Sequence, residues 1–134
     1  MSMISKAYAD FLTKSFNFKY FITIRTPYKK NIMTVSNWVN RFVMNSTTGI
    51  NSVFYINERD KGDMTNTHTH MLIDSVDDLT YKQIKKSFGN LSIGDYQKID
   101  DCDGVCNYVT KWIDRDLQYD IYINGEYKST STSR

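Results

Sequence analysis

His68 and His70 are the only histidines of the chain, and one threonine separates them. Residues 67–74 predict a β-strand, on which side chains two positions apart point to the same face. Two neutral imidazoles that share a face can bind one divalent metal ion. The spacing therefore favours a metal site, and the alternative is that both histidines are ordinary strand residues.

Glu58 is the candidate for a third ligand, because it ends the preceding predicted strand at residues 50–59. If that strand pairs with residues 67–74 across a polar turn at 60–66, the carboxylate lies close to the histidines. Two histidines and one carboxylate leave positions open for water and substrate. The alternative is a solvated residue at a strand end, because the hairpin register cannot be read from the sequence.

A second group of candidates lies on a helix predicted over residues 102–117. Its core-facing stripe comprises Cys102, Val105, Cys106, Val109, Trp112 and Ile113. Tyr108 flanks this stripe, and Lys111 and Arg115 follow on the same side of the helix. A tyrosine hydroxyl can attack a phosphodiester when a metal ion polarises the phosphate and a cation offsets the developing charge. The alternative is a packing tyrosine beside a solvated lysine.

The composition predicts one compact domain. The 134 residues are 40% hydrophobic and 14% aromatic, which argues against disorder. The net charge of +2 neither requires nor excludes a nucleic-acid partner. Two cysteines could provide little disulfide stabilisation for a secreted protein. No run approaches the roughly 18 apolar residues of a membrane span. We expect a cytoplasmic protein without a membrane segment, with its domain over residues 1–128 and a flexible tail over 129–134.

The hydrophobic pattern predicts an α+β fold. A first helix over 4–16 places Ile4, Ala7, Phe11 and Leu12 at helical spacing, and a strand over 18–26 places Tyr20, Ile22 and Ile24 on one face. The other expected elements are a helix over 34–46 capped by Thr34 or Ser36, the hairpin strands, a helix from Asp77 or Asp78 to Phe88, a strand over 92–99, the helix over 102–117 and a hairpin at Asn124-Gly125. This order is the split βαβ plan, an antiparallel sheet with helices packed on it.

Three motifs resemble those of the His-hydrophobe-His (HUH) endonucleases with one tyrosine, the rolling-circle replication initiator (Rep) proteins of small plasmids and viruses. Phe21-Ile22-Thr23-Ile24-Arg25 is similar to that family's first strand motif. His68-Thr69-His70-Met71-Leu72 resembles the metal motif, and Tyr108-Val109-Thr110-Lys111 matches the Tyr-x-x-Lys motif. The motifs occur in the family's order over residues 21–111. One departure is Thr69, where the family has a hydrophobic residue.

The resemblance implies a ferredoxin-like or RRM-like palm with the histidines on a central strand. It implies Mn²⁺ or Mg²⁺ as the metal, with Glu58 matching the family's carboxylate ligand. The implied activity is nicking of single-stranded DNA at an origin, which in some cases is a hairpin. Tyr108 would become joined to the 5′ phosphate, a 3′ hydroxyl would be freed, and the reverse step would rejoin strands. A homodimer is one of the assemblies left open.

Single-stranded DNA requires basic and aromatic side chains along its path. The candidates after the first strand are Arg25, Tyr28, Lys29 and Lys30. Those on the third helix are Lys82, Lys85 and Lys86, and Arg115 follows Lys111 on the last helix. The alternative for the three lysines of the third helix is a solvated helix face.

Four other functions compete with this interpretation. A single-tyrosine transposase of the same superfamily typically carries glutamine where this chain has Lys111. A non-catalytic RRM-like module would need stacking aromatics on the sheet, such as Tyr20 or Phe54. A zinc module would combine Cys102 and Cys106 with the two histidines. A 2H phosphoesterase would need two separate histidine motifs, and this chain has one histidine-bearing segment.

Overall fold

A computed structural model of the protein describes residues 3–26, 30–60, 63–111 and 118–124. Over these ranges the chain forms four helices and five strands. In chain order they are α1 (Met3–Ser15), β1 (Tyr20–Thr26), α2 (Ile32–Asn45), β2 (Ile50–Asp60), β3 (Asp63–Ser75), α3 (Tyr81–Phe88), β4 (Ile93–Lys98), α4 (Cys102–Thr110) and β5 (Tyr119–Ile123).

The five strands form one sheet in the order β4-β1-β3-β2-β5, and every neighbouring pair is antiparallel. The predicted α+β class and the split βαβ plan are confirmed, with β1 and β3 at the centre of a ferredoxin-like palm. The strand that carries both histidines is therefore paired along both of its edges.

Helices cover both faces of the sheet. On one face α2 and α3 pack over alternate strand residues, including Tyr20, Ile22 and Ile24, as the strand pattern predicted. On the other face α1 and α4 pack over Phe21 and Leu72, together with residues of β2. Burying one large apolar side chain contributes about 1.5–3 kcal/mol, so the two cores hold the sheet between two helical layers.

The structure corrects the predicted inner face of α1. Ser5, Ala9 and Leu12 are the buried positions, whereas Ile4 and Phe11 are exposed. The buried residues are spaced by four and three positions, so they form one stripe. Ser5 can lie inside because its hydroxyl donates to the carbonyl oxygen of Lys111.

Two helix starts also differ from the prediction. Asn31, rather than Thr34 or Ser36, caps α2, and its side chain accepts from the backbone N–H of Thr34. Thr80 caps α3 in a reciprocal pair with Gln83. Helix α3 therefore starts later than the predicted Asp77 or Asp78.

The hairpin of β2 and β3 is longer than predicted. The strands pair as far as Asp60 and Asp63, so β3 includes most of the segment expected to be a polar turn at 60–66. The pairing is regular as far as Arg59 and Thr67, and the register then shifts before the last pair, Asp60 with Asp63.

Some predictions lie outside the described residues. These are the helix beyond residue 111, the Gly125 half of the expected final turn and the tail over 129–134. Among the described helices, none is both long and apolar enough to span a membrane.

Candidate active site

A groove of about 560 Å³ opens on the sheet face that α1 and α4 cover, beside α4. Four strands and one helix contribute to its wall. The lining residues are Phe21, Thr23, Arg25, Glu58, His68, His70, Asp95, Gln97, Gly104, Val105 and Tyr108.

Strand register brings the ionisable residues of the groove together. On β1, Thr23 is the partner of His70 and Arg25 is the partner of His68. On β2, Glu58 is opposite His68. Directly paired residues of antiparallel strands project from the same face of the sheet. The shared face of the two histidines and the nearby carboxylate, both expected from the sequence, are present.

Both ring nitrogens of His70 have partners, and only 6% of this residue is exposed. Nε2 lies 3.0 Å from Oε2 of Glu58, and Nδ1 lies 2.9 Å from the hydroxyl oxygen of Thr23. A carboxylate only accepts, so in this arrangement Nε2–H donates to Glu58 and the Thr23 hydroxyl donates to Nδ1. A hydroxyl can also accept, so Thr23 supports either tautomer of His70.

The carboxyl group of Glu58 is stabilised in its charged form. The hydrogen bond from His70 lowers the pKa of Glu58, and the electrostatic effects of His70, His68 and Lys111 lower it further, against the opposing effect of partial burial. The groove therefore contains an ionised carboxylate at neutral pH, and the Lys111 ammonium acts on the same region.

His68 faces a different partner. Nη1 of Arg25 lies 2.6 Å from Nε2 of His68. The same Nη1 lies 3.4 Å from Nδ1, and because a guanidinium group only donates, His68 is the acceptor in this contact. The same guanidinium lies near β4, with Nη2 at 3.9 Å from a carboxylate oxygen of Asp95.

Helix α4 brings Tyr108 to the histidines. Its ring makes edge contacts with His70 at a centroid distance of 5.8 Å and with Phe21 at 6.1 Å, while 58% of the residue remains exposed. The helix is started by Asp101, which accepts from the backbone N–H of Gly104. A Cβ at Gly104 would lie 2.7 Å from that carboxylate, so glycine permits this close cap.

The donor atoms of the groove fit a divalent metal ion in their chemistry. Two imidazoles and a carboxylate form a mixed nitrogen and oxygen set with room for other ligands, and Thr23 would orient His70 from behind. Over the described ranges, however, no three histidine, cysteine or acidic side chains already converge on one point. Glu58 pairs with His70, whereas His68 faces Arg25.

The cysteines are not part of the groove lining. Their Sγ atoms lie 3.6 Å apart on α4 without a disulfide, and Cys106 is fully buried. Burial raises the pKa of the Cys106 thiol to about 12. Because the cysteines lie outside the groove, and no three histidine, cysteine or acidic side chains of the described residues form a metal-binding group, a zinc site that combines these cysteines with the histidines is disfavoured.

The predicted DNA-binding residues are dispersed in the structure. Arg25 lies in the groove, and the carbonyl of Lys30 accepts from the side chain of Asn57. Lys82, Lys85 and Lys86 are exposed on α3, which packs on the opposite face of the sheet and does not line the groove. Tyr28, Lys29 and Arg115 lie outside the described residues.

Several groove residues had no predicted role. Thr23 and Phe21 lie in the first strand motif, and strand alternation places them on the same face as Arg25. Asp95 and Gln97 lie on β4, where Asp95 pairs with Thr23 and Gln97 with Phe21. No signal in the sequence gives this register, so the proximity of β4 to the histidines required the structure.

No protein-family model, curated protein or solved structure was found to match this chain.

Proposed function

We propose that this protein is a metal-dependent endonuclease that nicks single-stranded DNA, as the rolling-circle initiators of the HUH type do. One observation carries the proposal: the two histidines, the ionised Glu58 and Tyr108 line a single open groove. These residues are up to 50 positions apart in the chain, between Glu58 and Tyr108. The fold juxtaposes them on one face, as a common site requires.

Tyr108 is proposed as the nucleophile. The bond between its Oη and the phosphorus forms, the bond from phosphorus to the 3′ oxygen breaks, and the hydroxyl proton of the tyrosine is lost as the leaving oxygen takes one up. The exposure of Tyr108 leaves access for an extended strand, while edge contacts with His70 and Phe21 restrict its ring. The resulting phosphotyrosine retains the energy of the diester, so the reverse attack can rejoin strands.

Lys111 and the ligand residues supply electrostatic support. His68, His70 and Glu58 would hold Mn²⁺ or Mg²⁺, and the ion would polarise the scissile phosphate and stabilise charge on its oxygens. Lys111 follows Tyr108 by three residues and already acts on the charge of Glu58. Its ammonium would offset negative charge as the tyrosine oxygen attacks.

The binding-module alternative has less support from the fold. Tyr20 and Phe54, the aromatics that such a module would use for base stacking, are 1% and 2% exposed. Each lies beneath helices in one of the two cores. They cannot stack on bases without removal of a helical layer.

Labelled oligonucleotides with random internal sequence would test the proposal. With Mn²⁺ we expect fragments whose new 3′ ends a polymerase extends and whose new 5′ ends resist a kinase, because protein blocks them. With a chelator we expect no cleavage. Intact oligonucleotides under all metal conditions, with retained binding, would instead favour a non-catalytic module. A transposase would be distinguished by joining to an unrelated target strand.

A further inference from the structure

Arg25 is placed between the proposed metal site and β4. Its side chain passes over Gly94, where an added Cβ would lie 3.1 Å from Nε and 3.4 Å from Cδ of the arginine. The guanidinium then reaches Nε2 of His68 at 2.6 Å and approaches Asp95 at 3.9 Å. Three strands therefore determine where this cation lies.

The guanidinium of Arg25 lies against both ring nitrogens of His68, with Nη1 at 2.6 Å from Nε2 and 3.4 Å from Nδ1. A neutral imidazole offers a metal one ring-nitrogen lone pair, on either nitrogen, and the guanidinium lies within hydrogen-bond distance of both. Metal ligation by His68 therefore requires the arginine to leave first. The arginine can move, because it is 52% exposed and its contact with Asp95 is a long surface ion pair.

We propose that Arg25 couples metal loading to engagement of the DNA backbone, an inference that rests on the proposed function. Without DNA, the guanidinium holds His68 away from ligation. A phosphate in the groove offers a bidentate partner that matches the guanidinium better than one imidazole nitrogen. When Arg25 turns to the phosphate, His68 becomes available to the ion beside His70 and Glu58. DNA and metal then strengthen each other's binding, and the coupling is reciprocal.

Mn²⁺ titrations, with the free ion followed by electron paramagnetic resonance, test this coupling. Every protein carries Tyr108→Phe so that no strand is cleaved, and the protein with this change alone is the parent. The DNA probe is an oligothymidylate of about 16 nucleotides. Arg25→Gln removes the charge, whereas Arg25→Lys keeps it without the planar fork. Arg41→Gln is the matched control, since Arg41 is exposed on α2 over the opposite face.

We expect both Arg25 variants to bind Mn²⁺ about tenfold more tightly than the parent in the absence of DNA, because both side chains are shorter than arginine and neither reproduces the guanidinium contact with His68. Addition of the oligonucleotide should tighten Mn²⁺ binding in the parent and in Arg41→Gln, and to a smaller extent in the Arg25 variants. If only Arg25→Gln bound Mn²⁺ more tightly, charge repulsion between Arg25 and the metal ion would explain the effect. This result would overturn the proposal. Unchanged affinity in both variants would overturn it as well.

The proposed function fails in a different way. If His68→Ala and His70→Ala bind Mn²⁺ as well as the parent, or if no protein binds it, the metal site itself is contradicted, and the coupling with it. If the histidine variants lose Mn²⁺ while both Arg25 variants behave like the parent, only the coupling is contradicted.

Discussion

Nε2 of His70 lies 3.0 Å from Oε2 of Glu58, in a contact between the central strand and its neighbour. The buried imidazole fixes one end of this pair, and the carboxylate, 39% exposed, faces the groove at the other. A divalent ion would replace the shared hydrogen between the two groups. The pair is therefore the part of the proposed site that is closest to a ligand arrangement.

Replacing Thr23 should weaken metal binding without direct contact to the ion. Thr23→Val removes the partner of Nδ1 and so loosens the orientation of the His70 ring, and we expect Mn²⁺ affinity to fall about 10-fold to 100-fold, with recovery in Thr23→Ser. Isothermal titration with Mn²⁺ measures this change. Thr69→Val is the control, because Thr69 is equally buried and its hydroxyl donates to Asn57 on β2, away from His70. Equal losses in both variants would show a general effect on stability.

Neutralising Glu58 should remove a ligand while the groove keeps its shape. We expect Glu58→Gln to bind Mn²⁺ at least about tenfold more weakly, because an amide replaces a charged oxygen donor. The same titration measures it, with Asp120→Asn on β5 as a control for net charge. Unaltered affinity in Glu58→Gln would exclude this carboxylate as a ligand.

Lys111 should affect the rate of nicking more than the affinity for DNA. Loss of a cation that stabilises the attacking oxygen lowers the rate by about 100-fold, so we expect this size of effect in Lys111→Gln in single-turnover nicking assays. The combined change of Lys82, Lys85 and Lys86 to glutamine should leave the rate within about twofold, since α3 lies on the opposite face. A larger effect from these three lysines would restore them to the DNA path.

The two cysteines should differ sharply in reactivity. Burial raises the pKa of Cys106 to about 12, so little of it is thiolate at pH 8, and the thiolate fraction rises as the pH approaches that value. Cys102 is partly accessible. We expect a disulfide reagent at pH 8 to modify one thiol in the native protein and both in denaturant. Rapid modification of both thiols in the native state would show that α4 opens readily.

A helix or strand could be predicted where its own residues carry a hydrophobic pattern. Alternation in β1 gave its inner face of Tyr20, Ile22 and Ile24. The predicted face of α1 was right at Leu12 but wrong at Ile4, Ala7 and Phe11, which are exposed. Ser5 is buried instead, with a hydrogen bond to Lys111, a partner 106 positions away. Such long-range contacts have no local signal.

The same contrast between local patterns and long-range contacts applies to the candidate site. His68 and His70 share a face because of strand geometry alone, and this was deduced from their spacing. The proximity of Arg25 to His68 and of Asp95 to Thr23 depends on register between strands that are distant in sequence. Tyr108 was placed in the site by motif order, and the structure provides the physical contact with His70.

Formation of a covalent protein–DNA adduct tests the central claim most directly. Wild type, Tyr108→Phe and the control Tyr81→Phe, an exposed tyrosine of α3, would be incubated with labelled oligonucleotides and Mn²⁺ and separated on a denaturing gel. We expect a labelled band at the protein's mass for wild type and Tyr81→Phe and none for Tyr108→Phe. An adduct that persists in Tyr108→Phe would contradict Tyr108 as the nucleophile.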